Sequence, residues 1–279
     1  MIDLHMHTTA SDGRLSPAEL VVRVATAGLK TISVTDHDTV AAIAETTTLA
    51  AAAGIRVVPG IEITAVEDNR DVHVLGYFFD PASERLAEFL VSQRDRRVMR
   101  VREIAERLAA ANILIDVDRL LKTAAERPGS SVGRPQIARE MVRAGHVPSV
   151  QAAFELWLAA GRPAFVPRIG PNAATVIETI HGAGGLASFA HPGVTKRDDL
   201  IAPLADRGLD AIEVYHSDHT QEDTTAYRRL AARLGLLVSG GSDFHGDDPS
   251  KPERVRRAIF GAIGLPPTDF LALEQRSRV

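Results

Sequence analysis

The sequence predicts an α/β protein: a distorted seven-stranded (β/α) barrel interrupted by a helical insertion. Three observations predict it. Short apolar runs alternate with helical patterns in residues 1–82 and again in 161–279, which is typical of β/α units. Residues 83–160 show helical periodicity but no strand pattern, so they are assigned to a helical cap domain. Polar residues follow at least five of the apolar runs directly, as they do at the active-site rim of a barrel.

The predicted strands are short apolar or alternating runs, bounded by Gly or by polar residues. They lie at 2–5, 31–35, 56–64, 71–79, 186–190, 211–215 and 236–239. A closed barrel gathers the carboxyl ends of its strands at one rim, whereas an open doubly wound sheet spreads them along a line. The repeated polar residues at strand ends therefore favour the barrel.

Helices are predicted where apolar residues recur every three or four positions. The first has a clear start signal, because Ser16 can cap, Pro17 fits the first turn and Glu19 completes a capping box. Predicted helices lie at 17–28, 39–53, 86–108, 116–124, 134–144, 149–159, 173–183, 198–207, 221–234 and 253–262. The tail from 266 onward carries no clear pattern.

Composition places the chain among ordinary globular proteins. It has 279 residues, 45% hydrophobic and 24% charged, with no Cys. Disulfides and thiolate metal sites are therefore excluded, so a metal could be held only by His, Asp and Glu. No apolar stretch approaches the roughly 20 residues of a membrane span, and no signal peptide is evident. We expect a cytoplasmic protein that does not contact a membrane.

Charge is distributed unevenly along the chain. The net charge of −4 argues against a grip on nucleic acid by the whole protein. Between residues 85 and 143, however, 13 basic residues stand against 8 acidic ones. This segment is either an Arg-rich cover over a metal-binding body or a solvated helix surface.

The first strand runs into His5-Met-His7, and Asp12 follows on a loop closed by Gly13. Two histidines at i and i+2 on an extended backbone point to the same side, so they can bind one metal ion together. His-x-His alone is a weak signal. Histidines and carboxylates recur, however, at the ends of later strands: Asp36, His37, Glu62, His191, Asp243 and His245.

The complete pattern resembles the successive motifs of the polymerase and histidinol phosphatase (PHP) family. The motifs are His5-x-His7, Asp12, Thr35-Asp-His37, Glu62, His73, His191-Pro192 and Ser242-Asp-Phe-His245. The resemblance covers residues 1–246 and fills nine ligand positions in order. It implies a distorted seven-stranded barrel with two to three divalent metal ions at its mouth. Manganese is the first choice, with zinc and iron as alternatives, because all the ligands are nitrogen or oxygen.

The resemblance also implies how the nine ligands are shared. The first group is His5, His7, Glu62 and Asp243. Glu62 bridges to a second group that contains His73 and His191. The third group is Asp12, His37 and His245. Two further histidines, His146 and His181, lie in helical segments outside the pattern and are expected to be structural.

Two other segments, Gly133-Arg-Pro135 and Ile212-Glu-Val-Tyr-His216, resemble a subgroup of nucleotide-directed phosphoesterases. The resemblance implies hydrolysis of the 3′-phosphate of nucleoside 3′,5′-bisphosphates and trimming of short RNA from its 5′ end. The expected partner is thus a phosphorylated nucleotide or short RNA, and no obligate protein partner is evident. This chain has Gln136 where many relatives have His after Gly-Arg-Pro.

Several arginines are candidates for binding substrate phosphates. Arg134 is the first, because a guanidinium pairs bidentately with phosphate. Arg94 and Arg97 lie three residues apart on one predicted helix and could reach a second phosphate. An ordinary solvated helix face is the alternative for Arg94 and Arg97.

Catalytic roles are expected for four residues at strand ends. Asp243 and His191 would serve the reaction as well as the metals. His216 or His219 would donate a proton to the phosphate or to the leaving oxygen, and the alternative for either is an ordinary loop histidine. Divalent metals would activate water and bind the phosphoryl oxygens.

Three other functions stay open at this point. Histidinol phosphate hydrolysis could use the same metals, but a basic cap fits a substrate with two phosphates better. C–N bond hydrolysis, as in amidohydrolases, is supported by similar barrels. A non-catalytic nucleic-acid module is the third, although such modules usually belong to much longer chains.

Overall fold

The predicted barrel strands are present and form one sheet in chain order. The structure, a computed structural model, describes residues 1–126, 129–247 and 263–278. In these residues the sheet contains seven strands in the order β1 to β7. They are β1 (Ile2–Asp3), β2 (Thr31–Val34), β3 (Arg56–Glu67), β4 (Arg70–Tyr77), β5 (Leu186–Phe189), β6 (Ala211–Tyr215) and β7 (Leu237–Gly240).

Backbone hydrogen bonds join the chain just beyond β1 to the end of β7 and the residues that follow it, and so close the sheet. Leu4 N donates to the Gly240 carbonyl (3.2 Å), and Asp243 N donates to the His5 carbonyl (2.8 Å). The chain beyond β1 therefore runs beside the chain beyond β7. Closure brings the ends of distant strands to one rim, as the barrel prediction requires.

Strand direction differs from uniform parallel β/α units at one place. β4 pairs antiparallel with both β3 and β5, whereas the other neighbours are parallel. Asp68 and Asn69 form a two-residue turn between Glu67 and Arg70, with φ of 49° and 61°. Asp and Asn tolerate this conformation, which two-residue hairpin turns require. The predicted β/α units imply parallel strands, and β4 departs from them because the two-residue turn leaves no room for a crossover helix.

The helices agree with most of the predicted ones. Ser16 Oγ accepts from Glu19 N (3.3 Å) and the Glu19 carboxylate accepts from Ser16 N (2.8 Å), which is the predicted capping box. The helix predicted at 253–262 lies outside the described residues. The helices are α1 (Pro17–Thr26), α2 (Ile43–Ala52), α3 (Glu84–Ala110), α4 (Val117–Ala125), α5 (Arg134–Arg143), α6 (Val150–Ala153), α7 (Ala173–Gly182), α8 (Pro192–Thr195), α9 (Ile201–Ala205), α10 (Gln221–Leu234) and α11 (Pro267–Arg276), with a π-helical turn at Phe154–Leu158 and a 3₁₀ turn at Asp198–Leu200.

The insertion has an apolar core of its own. The first turns of α3 pack on the barrel through Leu86 and Leu90. Its later turns pack instead against the other helices of the insertion. That second core is formed by residues that include Val101, Ile104, Leu108, Ile137, Met141 and Leu158.

Helix α11 covers the end of the barrel opposite the rim. Phe270 and Leu273 are 5% and 0% exposed and pack with Leu4, Leu186 and Ala211. No helix is predicted here from the sequence, because α11 begins after Pro266 without a side-chain cap. Within the described residues, no helix is both long and apolar enough to span a membrane.

Candidate metal centre and anion cavity

Glu62 lies at the centre of a cluster of histidines formed by the strand ends. Its side chain is only 1% exposed, and both carboxylate oxygens face imidazole nitrogens rather than water. Such a set of side chains attracts positive charge, because a buried carboxylate is costly unless it is paired. The nitrogens nearest to Glu62 belong to His5 (3.3 Å), His7 (3.2 Å), His37 (3.1 Å), His73 (2.7 Å) and His191 (3.0 Å).

The first predicted ligand group assembles around His5. Its Nδ1 donates to Glu213 Oε1 (2.8 Å), which leaves Nε2 with a free lone pair in the neutral ring. That Nε2 faces Glu62 Oε2 (3.3 Å) and Asp243 Oδ1 (3.2 Å). His7 Nε2 lies 3.2 and 3.1 Å from the same two oxygens. Two nitrogens and two carboxylates thus converge on one point, where a cation would turn repulsion between lone pairs into attraction.

The second predicted group differs from the expected one in one member. Ligand atoms of His37, Glu62 and His73 lie within 4.8 Å of one another, whereas the resemblance implied His191 in the place of His37. His191 Nε2 nevertheless contacts Glu62 Oε1 (3.0 Å), the oxygen that His73 Nδ1 also contacts (2.7 Å). Both histidines therefore face the same side of Glu62.

The third predicted group gathers around Asp12 and also includes His7. Asp12 Oδ1 lies 3.2 Å from His245 Nε2, and Asp12 Oδ2 lies 3.8 Å from His37 Nε2. His245 Nδ1 donates to the Asp243 carbonyl (2.9 Å), so its Nε2 presents a lone pair to Asp12. Burial lowers the pKa of His37 to about 3, which keeps that ring neutral. All nine predicted residues thus lie in one continuous cluster.

Buried atoms without partners test whether cations fit this cluster. Both ring nitrogens of His7, and Nδ1 of His37 and His73, are buried, and among the described residues the carboxylate oxygens near them do not form hydrogen bonds of normal geometry. Buried polar atoms are nearly always satisfied, so these nitrogens fit the role of ligands. Burial alone would lower the pKa of His7, but the carboxylates of Asp243 and Glu62 raise it to about 10. The donor set is imidazole and carboxylate, which suits divalent manganese, zinc or iron.

Glu213 is a buried site residue that the sequence analysis missed. Its Oε1 accepts from the His5 ring, and its Oε2 accepts from His191 N (2.7 Å). His191 has a φ of 28°, a strained conformation for a residue with a side chain. Glu213 therefore fixes one ligand by its ring and another by its backbone. Its charge inside the apolar run Ala-Ile-Glu-Val-Tyr was the signal that could have identified it.

His216 lies at the edge of the cluster. It is 2% exposed, and its Nδ1 accepts from Asp218 N (3.1 Å). The proton of the neutral ring is therefore on Nε2, which faces Asp243 Oδ2 at 3.4 Å. This geometry keeps His216 available as a donor next to the ligands.

His219 has a different environment. Its Nδ1 donates to the Val214 carbonyl (2.9 Å), and its Nε2 accepts from Gly193 N (3.1 Å). Because both ring nitrogens are engaged with backbone groups, His219 is suited to hold α8, the short helix that follows His191, rather than to touch a substrate. The predicted proton donor is better matched by His216.

The two histidines expected to be structural lie outside the cluster. His146 Nε2 lies 2.7 Å from the Leu114 carbonyl. His181 Nε2 lies 2.7 Å from Asp210 Oδ2, near the opposite end of the barrel.

A cavity of about 150 Å³ opens beside the cluster. It extends from the ligands on the barrel to the insertion. The walls therefore differ in character on the two sides. Asp12, His37 and His73 line the barrel side, and Arg97, Arg134 and Arg168 line the opposite side.

Arg134 is held in this cavity from three directions. Its Nη2 donates to Asp71 Oδ2 (3.1 Å), and its guanidinium carbon lies 5.9 and 5.8 Å from the ring centroids of Phe154 and Phe165. Stacking on aromatic rings fixes a guanidinium plane. Arg134 is therefore placed in advance for a second anion.

The two α3 arginines differ from each other. Arg97 is 7% exposed and donates to Asp38 Oδ2 (2.5 Å) and to Thr64 Oγ1 (3.1 Å). Arg94 is partly exposed and is absent from the cavity lining. Residues three apart differ by about 60° around a helix, and here this rotation leaves Arg94 outside the cavity lining while Arg97 is part of it. The expectation that both reach the substrate is not met by this geometry.

Arg168 is the cavity arginine that the sequence analysis missed. It lies 3.5 Å from Asp38 Oδ2 and 3.4 Å from Asp71 Oδ1. Burial, together with the nearby positive charge of Arg97, lowers the pKa of Arg168 to about 9. Arg168 lies on a segment with no helix or strand, so no periodicity marked it.

The sequence is similar to known proteins over most of its length. A model of the PHP domain matches residues 3–146. The chain is 37% identical over 255 residues to the 5′-3′ exoribonuclease Rnm of Escherichia coli, covering 87% of this chain and 84% of that protein. It is 34% identical over 271 residues to the 3′,5′-nucleoside bisphosphate phosphatase of Chromobacterium violaceum, covering 95% and 93%.

A solved structure extends the similarity to the whole fold. It is that of a candidate metal-dependent phosphoesterase from Bifidobacterium adolescentis, with a TM-score of 0.87 and 31% identity. The match covers 99% of this chain and 96% of that one. The expected fold and family are therefore confirmed, and the chain belongs to the PHP domain family.

Proposed function

We propose that this protein is a metal-dependent phosphoesterase that removes the 3′-phosphate of nucleoside 3′,5′-bisphosphates. The products would be the nucleoside 5′-monophosphate and phosphate. One observation carries the proposal: a single cavity has metal ligands on one side and arginines on the other. A substrate with two anionic groups fits such a cavity better than a substrate with one.

The reacting phosphate would lie against the histidine cluster. Divalent metals bound there would lower the pKa of water and neutralise charge on the phosphoryl oxygens. The chain's own part is to orient its ligands: Glu213 fixes His5 and His191, and His216 presents its Nε2 proton beside Asp243. We assign to His216 the donor role toward the phosphate or the leaving oxygen.

The retained phosphate would lie against the arginines. Among the described residues, Arg97, Arg134 and Arg168 form ion pairs with two carboxylates, Asp38 and Asp71, so one positive charge is left over. An anion would restore the balance and add charge-assisted hydrogen bonds. The cavity, at about 150 Å³, is smaller than the roughly 300–1,000 Å³ that encloses a whole small molecule. It suits a phosphate with the nucleoside partly outside.

The relatives support this substrate class. One is named a 3′,5′-nucleoside bisphosphate phosphatase and another a 5′-3′ exoribonuclease. A short RNA has the same arrangement at its 5′ end, with a terminal phosphate and a phosphodiester one nucleotide away. We therefore include short RNA 5′ ends as a second substrate.

The identity of the metal is proposed from the chemistry of the ligands, and the location from the sequence. We propose two to three manganese ions, with zinc or iron as alternatives, since carboxylate and imidazole ligands suit all three metals. A cytoplasmic location and the absence of an obligate protein partner stay predictions from the sequence.

Phosphate release from a substrate panel tests the function. The panel contains adenosine 3′,5′-bisphosphate, its 3′- and 5′-monophosphates, histidinol phosphate, a simple amide and a 5′-phosphorylated trinucleotide. We expect the bisphosphate to react with the highest kcat/KM and the 5′-monophosphate to be inert. Preference for histidinol phosphate or the amide would support the two alternative enzymes instead. Turnover of none of them in manganese would support the non-catalytic alternative.

A further inference from the structure

The loop that carries Asp12 is attached to the helical insertion through three consecutive carbonyls. Each carbonyl accepts a hydrogen bond from a residue between 131 and 139. The contacts are Ala10 O with Ser131 N (2.9 Å), Ser11 O with Gln136 Nε2 (2.5 Å) and Asp12 O with Arg139 Nη1 (3.1 Å).

The barrel holds the same loop on both sides of Asp12, and on the far side Arg14 N donates to the His245 carbonyl (2.8 Å). Asp36 accepts from Thr8 N (2.8 Å), Thr8 Oγ1 (2.6 Å) and Ser11 Oγ (2.5 Å). Residues 8–14 form no helix or strand, so their position depends on such contacts. At Asp12 itself, the backbone carbonyl is held from the insertion.

Gln136 makes the central contact with both ends of its amide. Its Oε1 accepts from Gly133 N (2.9 Å) at the start of α5, and its Nε2 donates to the Ser11 carbonyl. The two partners fix which end of the amide is oxygen, because one partner is a donor and the other an acceptor. Gln136 also lines the cavity together with Ser131 and Arg134.

We propose that Gln136 is a positioning residue for Asp12, so that the insertion completes the third ligand group of the metal centre. Gln136 does not touch a ligand side chain. It holds the peptide that joins Ser11 to Asp12, and thereby the Asp12 carboxylate at 3.2 Å from His245. Binding in the cavity and cation binding at Asp12 then become coupled, because the same segment contacts both, and such coupling is reciprocal.

Manganese titration of the metal-free, full-length protein tests this without a substrate. Changing Gln136→Met keeps the length of the side chain and removes both hydrogen bonds. We expect one class of sites to lose about 10- to 100-fold in affinity, as for other residues that orient ligands. The tightest class should be unchanged. An Asp12→Asn variant identifies the affected class, and in that background Gln136→Met should have no further effect.

Two variants control for folding and for charge on α5. Gln136→Glu keeps the acceptor for Gly133 N, so the start of α5 is preserved, but its carboxylate cannot donate to the Ser11 carbonyl. It should show the same loss of manganese affinity. This variant replaces Gln136→Met in the test if Gln136→Met does not fold. Arg143→Ala removes an exposed α5 side chain paired with Glu140 and should bind manganese like the parent. Unchanged affinity in both Gln136 variants, or an equal loss at all classes of sites, would overturn the proposal.

Discussion

Replacing Arg134 with Ala should separate the two phosphates of the substrate. The change removes the guanidinium that Asp71, Phe154 and Phe165 hold in the cavity. The histidine cluster is left intact. If Arg134 binds the retained phosphate, the loss should depend on whether the substrate has a second anion.

The magnitude follows from the contacts of Arg134. One charge-assisted hydrogen bond contributes roughly 1.5–3 kcal/mol, which corresponds to about a ten- to hundredfold loss in kcat/KM. Asp71 keeps a second partner, Arg168 at 3.4 Å, so the change does not leave a carboxylate unpaired. We therefore expect the catalytic effect to exceed any effect on folding.

The assay compares kcat/KM on adenosine 3′,5′-bisphosphate and on a simple aryl phosphate. The Arg134→Ala variant should lose the full factor on the bisphosphate and less than threefold, a limit of about 0.6 kcal/mol, on the aryl phosphate. Arg134→Lys keeps the charge without the planar fork and should fall between. Arg143→Ala, on the same helix but outside the cavity, is the control. Equal losses on both substrates would place Arg134 at the reacting phosphate, and no loss on either would refute its binding role.

Three other perturbations test different parts of the structure. Asp243→Asn should abolish activity and should lower the metal content, measured by elemental analysis, below the two to three ions per chain expected for the parent. The circular dichroism spectrum should be unchanged, because Asn tolerates the φ of 54° at this position. Leu273→Ala, at a fully buried position of α11, should reduce the free energy of unfolding in urea by about 2–5 kcal/mol, and a loss below about 1 kcal/mol would mean that α11 does not seal the barrel. The hydrogen bond to Asp210 raises the pKa of His181 above 6.5 in the folded state. The protonated pair should therefore stabilise the fold below pH 6.5, by no more than about 1 kcal/mol. This contribution should be lost as the pH rises through the raised pKa. Urea unfolding of His181→Ala and the parent at about pH 5.5 and about pH 9 should therefore show a difference only at the lower pH.

The residues of the histidine cluster could be predicted because each follows or lies within a recognisable strand. Because a barrel places the carboxyl ends of its strands at one rim, these residues can be grouped without knowledge of the side-chain geometry. The hairpin at Asp68 and Asn69 is not predicted, because the alternation of strands and helices indicates parallel units. The six residues between the predicted strands at 56–64 and 71–79 were already too few for a helical crossover.

The arginine side of the cavity could not be predicted in the same way. Arg168 lies on irregular backbone, and Arg97 differs from Arg94 only by rotation about α3. Which of them faces the cavity depends on how the insertion packs on the barrel. Local periodicity does not contain that information, since it describes one helix at a time.

Residues one or two positions apart in the chain contact the two sides of the cavity. After β2, His37 faces the metal ligands while the next residue, Asp38, binds Arg97 and Arg168. On β4, His73 faces Glu62, and Asp71 binds Arg134 and Arg168.

Neighbouring Cα atoms are about 3.8 Å apart, and residues i and i+2 of a strand are about 7 Å apart on the same face. Covalent geometry therefore sets the distance from His37 and His73 to the two carboxylates that hold the arginines. A substrate is then selected by the separation of its two phosphates. A bisphosphate with its phosphates on one ribose should react faster than one whose phosphates are separated by an additional nucleotide.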